Sequence, residues 1–221
     1  KTHKMHHDST DQLEAVPQTV LETVPGSRAD EWHQHTFGGG WVHRGARVAP
    51  TAWIGPNAVV FGRAQVLDHA RVCGNARVGG EACVRGNARV LDHAEVGGRA
   101  EVRDHAVVDG KARVGDNAEV RDHACVLDNA RIGVEARIAG HARVNGKAVV
   151  TDRARVHDNA EVGGRAAVYG SAMVYGDARV DGRAWIGQDA EVFGHARIFG
   201  AAVVTDYAKV FDHARVFGHA R

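Results

Sequence analysis

The chain has 221 residues, 28 basic and 27 acidic, for a formal net charge of +1. That balance removes the simplest argument for a nucleic-acid partner, and no run of 18 apolar residues offers a membrane-spanning helix, so neither nucleic acid nor membrane insertion is expected. Glycine supplies 27 residues against six Phe, four Trp and three Tyr, so any core must be built from small side chains.

Residues 1–39 hold Pro17 and Pro25 and show no repeat. Ser9-Thr10-Asp11-Gln12 has the form of a capping box opening a short helix through Leu13 and Val16. Val20, Leu21 and Val24 would continue it after Pro17, a residue suited to a first helical turn. An extended arm fits equally, and in either form the segment reads as an N-terminal arm or cap. His6-His7 and His33-Gln34-His35 are possible metal pairs, each short of the further ligands a closed site needs. Lys1 stands where a methionine would open a nascent chain. A processed terminus would put the protein outside the cell or on its surface, and otherwise it would be cytoplasmic.

From Ala46 to Ala220 every sixth residue is Ala, and from Val48 to Val216 the residue two places later is Val or Ile. The period has no insertion. The fifth position of each unit is Gly or Asp, except at Pro50, Pro56, Val134 and Gln188. Residues two apart share one side of an extended strand. Each unit therefore predicts a three-residue strand with one apolar face, and the Gly or Asp that follows tolerates the positive φ of a tight corner. So short a strand buries nothing alone, and coiling stacks successive strands over one continuous core.

The segments Ile54-Gly55-Pro56-Asn57-Ala58 and Val114-Gly115-Asp116-Asn117-Ala118 resemble the hexapeptide signature of the left-handed parallel β-helix superfamily. The resemblance covers about four fifths of the chain. It implies an all-β fold, a triangular β-solenoid with three hexapeptides per coil and left-handed winding. Gly40 to Gly45 extends the pattern backward, so residues 40–221 form the repeat domain with about ten coils, roughly 48 Å long at ~4.8 Å per parallel strand. The start Gly38-Gly39-Gly40-Trp41-Val42 resembles the first coil of the YdcK-type hexapeptide proteins.

Residues eighteen apart should stack. One corner column contains His69, His105, His123, His141, His195 and His213. His105, His123 and His141 are weak metal candidates, since imidazole is a common ligand. The plainer explanation is that His and Asn both tolerate the left-handed corner conformation. A second column holds Arg71, Arg89, Arg143, Arg179, Arg197 and Arg215 and reads as a solvated face with ladder salt bridges. Tyr175, Phe193 and Phe211 fall in one outward column, and Phe199 and Phe217 in the next. Such a stripe suggests an interface. Cys73, Cys83 and Cys125 do not pair by an eighteen-residue offset, so no disulfide is expected.

Three functions follow. The first is a non-catalytic structural solenoid that self-assembles, laterally or head to tail into a filament. The ending Phe217-Gly218-His219-Ala220-Arg221 falls in mid-pattern, and ten whole coils keep the triangular phase for stacking. The second is an acyltransferase-like enzyme. The superfamily resemblance implies a lateral trimer with His in an inter-prism cleft and a protruding loop, and the uninterrupted array lacks such a loop. Ala49-Pro50-Thr51-Ala52-Trp53-Ile54 also resembles the opening of γ-type carbonic anhydrases, but their zinc histidines have no clear counterpart. No catalytic residue is carried over and no cofactor is expected. The third is a passive binding module or spacer using the aromatic stripe.

Overall fold

A computed structural model describes residues 15–221. The capping box at Ser9–Gln12, Leu13 and the His6-His7 pair lie outside the described residues. From Trp41 onward the chain makes one short strand per six residues and turns a corner after each. The strands stack into three sheets of 11, 10 and 10 strands, forming a triangular β-solenoid of about ten turns. The first solenoid strand of sheet A is Trp41–His43, that of sheet B Arg47–Val48 and that of sheet C Trp53–Ile54. Each solenoid strand pairs in parallel with the strand eighteen residues away, as Arg89↔Val107 and Val90↔Val108.

After Trp41–His43 the repeat strands are two residues long, not the three the pattern suggests. The reason is local. The alanine N–H turns back onto the carbonyl three residues earlier in most units, as Ala52 to Ala49 at 3.0 Å, so it closes the preceding corner and only the alanine carbonyl takes part in the ladder. The next residues carry the coil-to-coil bonds: Arg89 N–H to the Ala106 carbonyl at 2.9 Å, Leu91 to Val108 at 2.9 Å and His93 to Gly110 at 2.8 Å.

The core is the alanine column and the valine column of each face. From Ala52 to Ala202 the alanines are buried, and so are Val60 to Val204 with Ile54, Ile132, Ile138, Ile186 and Ile198. Three facing walls of small residues fill the triangle at interior density without aromatics. This accounts for the scarcity of large side chains.

The corner sits at the fifth position, where the backbone takes positive φ from Gly62 onward, the first two corners being Pro50 and Pro56. Ten aspartates adopt it, among them Asp104 at 62° and Asp122 at 61°. Several also serve the next coil. The Asp122 carboxylate accepts from Gly140 N–H at 2.9 Å, and Asp116, Asp128 and Asp152 serve Val134, Gly146 and Gly170 in the same way. Aspartate thus supplies a corner conformation and an acceptor for a backbone N–H that the strand ladder leaves over. Val134 (57°) and Gln188 (55°) are the other non-glycine corners of positive φ. A β-branched residue in this region is strained.

The N-terminal arm lies on sheet A. Pro17 caps α1 (Gln18–Leu21), one place before the first helical turn. A short turn at Ala29–Glu31 leads into β1 (Trp32–Gln34), which runs antiparallel to β2 (Trp41–His43). Val20 and Trp32 bury Trp41 and Val59 in a second small core. The loop after β1 crosses the first sheet C strand, with Gly40 N–H on the Ile54 carbonyl at 2.9 Å and Ile54 N–H on the Phe37 carbonyl at 3.1 Å. A Cβ at Gly38 or Gly40 would collide with Ile54, and Gly39 has a positive φ of 77°, which explains the glycines of this segment.

Two predictions follow from the corners. Val134→Gly should raise the unfolding free energy by about 1 kcal/mol in denaturant titrations, because relief of left-handed strain is worth ~1–2 kcal/mol; a loss of stability would contradict the corner assignment. The bond from Gly140 N–H, with Arg121 beside it, holds Asp122 below its ordinary value of 3.8. A depressed carboxylate stabilises the fold fully above that value, and the contribution disappears as pH falls through the lower folded-state value. Asp122→Asn should therefore lower the melting temperature at neutral pH and show a smaller further drop below pH 3.8. Equal acid sensitivity in the two proteins would refute the carboxylate's role.

Candidate interaction surface

The stacking rule turns the outward columns into ladders of touching side chains. On sheet B, His157, Tyr175, Phe193 and Phe211 stack nearly parallel, with centroids 5.1, 5.0 and 5.4 Å apart. The Tyr175 hydroxyl donates to Glu191 at 3.2 Å, and Glu191 also pairs with Lys209 at 2.9 Å. Desolvation, then the Glu191 carboxylate, raises the Tyr175 phenol above its ordinary value. On sheet C, Phe199 and Phe217 stack at 5.3 Å. Ring faces are consumed within each ladder, so the rings turn their edges outward. Phe199, Phe211 and Phe217 are exposed, and Tyr175 and Phe193 are half-buried.

Sheet A adds a feature the sequence columns above did not single out. Its outward column reads Val149, Ala167, Trp185, Val203 over four consecutive coils, without a charge. Trp185 is 54% exposed and meets Tyr169 edge-on at 6.1 Å. The same column farther back is Trp41 and Val59, which the N-terminal arm covers. Between them lies a trough of about 690 Å³ floored by Gly79, Gly97, Gly115 and Gly133 and bordered by Arg77, Glu95, Arg113 and Arg131. Reading the third face at eighteen-residue spacing from Trp41 would have exposed this alternation.

The corner histidines are brought together as a stack. His105, His123 and His141 lie ring on ring at 4.9 Å, within 4° of parallel, and His195 lies on His213 at 5.0 Å. Ring nitrogens lie in the ring plane, so stacked rings direct their lone pairs sideways and not at a common point between them. Among the described residues no three His, Cys, Asp or Glu side chains are grouped to hold a metal ion. In the His33-Gln34-His35 pair, His33 is exposed while His35 is buried, with Phe37 N–H donating to its Nδ1 at 3.3 Å.

The charged columns pair unevenly. Glu81–Arg99 (2.9 Å), Glu95–Arg113 (3.1 Å) and the Arg85–Glu101–Arg103–Glu119 zigzag, with contacts between 2.5 and 3.7 Å, are ladder salt bridges. The sheet C arginines, expected to be similarly laced, show one long pair among the described residues, Arg179–Glu161 at 3.9 Å. Carboxylates are scarce on that face. Cys73, Cys83 and Cys125 are free and half-buried. No helix of the described residues is long and apolar enough to cross a membrane. In comparison with known proteins, the chain matches no family model and no curated protein.

Proposed function

We propose that the chain is a non-catalytic structural β-solenoid that associates with copies of itself through the aromatic third of the rod beyond Val149. The observation that carries this reading is the convergence of uncovered apolar side chains on the same coils from all three faces: Trp185 on sheet A, Phe211 on sheet B, Phe199 and Phe217 on sheet C. The arm supplies an internal precedent, because the equivalent apolar stretch at Trp41 and Val59 is covered.

Magnitudes bound the affinity. Burying the exposed half of a tryptophan is worth about 3 kcal/mol at ~25 cal/mol/Å². Association costs at least ~4 kcal/mol in lost rigid-body freedom, so Trp185 needs its flanking valines and phenylalanines. Four coils of one face offer roughly 300 Å², well under the ~800 Å² per partner of a standard interface. The association on one face is therefore weak and concentration-dependent.

A lateral arrangement is favoured over head-to-tail stacking. β1 occupies the first edge of sheet A, and the Phe37–Gly40 loop occupies that of sheet C, so an end-on partner would meet the arm instead of open strands. A filament is the extended form of the same proposal. The likeness of Gly38–Val42 to the YdcK-type proteins also belongs to it, since the close approach to Ile54 gives those glycines a capping role.

Sedimentation velocity should show mass rising with concentration between about 10 and 500 µM. Trp185→Ser, or Phe193→Ser with Phe211→Ser, should shift the midpoint at least tenfold upward while circular dichroism stays unchanged. A wild-type monomer throughout that range would overturn the proposal.

A further inference from the structure

The outward column of sheet B changes character at one residue. Arg85, Arg103 and Arg121 come before it, and His157 and the aromatic ladder come after it. Between them stands Ala139, which faces outward by strand alternation yet is only 6% exposed. It floors a depression of about 360 Å³ walled by Arg121, Arg137, Arg155 and His157, with Asp122 and Asp158 at the rim.

The carboxylates around the notch already have partners. Asp122 is engaged by Gly140 N–H and by Arg121 at 3.0 Å. Asp158 is engaged by Gly176 N–H at 3.1 Å and lies 3.2 Å from His157 Nδ1. Glu119 is shared among Arg103, Arg121 and Arg137 at 2.6, 3.4 and 3.7 Å. Among the described residues no carboxylate pairs with Arg155. Arg137 and Arg155 are register partners on adjacent coils, so two like charges stand one coil apart with no acid between them. His157 stacks on Tyr175 and forms the remaining wall.

We infer that the notch over Ala139 is an anion site for a doubly charged tetrahedral oxyanion, phosphate or sulfate. Guanidinium forks match such oxygens bidentately. Arg137 and Arg155 supply two forks on neighbouring coils, and the missing side chain at Ala139 supplies the room. This site adjoins the aromatic ladder through His157, but its test reads ion binding and not self-association.

Calorimetric titration of the full chain with inorganic phosphate, and separately with inorganic sulfate, at constant low chloride tests it. One saturable site is expected with a dissociation constant on the order of 1 mM or tighter, and the tighter ligand names the ion. Arg155→Gln and Arg137→Gln should each weaken binding at least tenfold, and Ala139→Leu should abolish it by filling the notch. Arg89→Gln, on sheet C between Arg71 and Val107, should leave it within twofold. Absence of saturation, an equal loss in Arg89→Gln, or unchanged binding in Ala139→Leu would each overturn the assignment. If Ala139→Leu fails to fold by circular dichroism, Arg155→Gln and Arg89→Gln decide alone, because both side chains are exposed.

Discussion

Everything in this rod depends on a backbone corner of positive φ recurring at the fifth residue of every six-residue unit from Gly62 onward. The corner brings alanine and valine back to the same two places on every face and sets the eighteen-residue register. Glycine meets the conformational demand by lacking a Cβ. Aspartate meets it at some conformational cost, offset where its carboxylate accepts an N–H from the following coil, as between Asp122 and Gly140. Only small side chains then fit inside. The composition, rich in glycine and poor in aromatics, is a consequence of that geometry.

The same register governs the surface. A residue eighteen places on stands about 4.8 Å away, close to ring-stacking distance, so any repeated aromatic or imidazole becomes a ladder. The His105–His123–His141 and Tyr175–Phe193–Phe211 stacks are the result. A repeated charge is repulsive unless an acid is interleaved. Glu101 and Glu119 do this among the sheet B arginines. The next acid of that column is Glu191, and the basic notch at Ala139 lies between the two.

The fold was legible because one period fixes both the core and the corner. The sixfold recurrence of Ala and Val/Ile predicted the buried columns, and the stacked histidines followed from their spacing. The strands proved shorter, because a hydrophobic pattern does not reveal that the alanine N–H turns back to the previous corner. The arm carries no period, so the antiparallel pairing of β1 and the burial of Trp32 against Trp41 and Val59 depend on tertiary contact. The Val149–Ala167–Trp185–Val203 column was present in the spacing, but its residues differ in size and kind and do not announce themselves as a stripe. Side-chain pairing on sheet C was the least legible feature, since register places arginines on one line without saying whether an acid reaches them.

If corner and register are the governing constraint, the rod tolerates loss of a whole coil and not of half of one. Thermal unfolding, followed by circular dichroism, of a chain lacking residues 94–111 compared with one lacking residues 94–102 tests this directly. The first deletion removes three complete units and rejoins His93 to Ala112 in phase. It should keep the β spectrum and a single cooperative transition close to that of the intact protein. The second breaks the phase at its junction and should split or lose the transition. Equal behaviour of the two deletions would contradict the account.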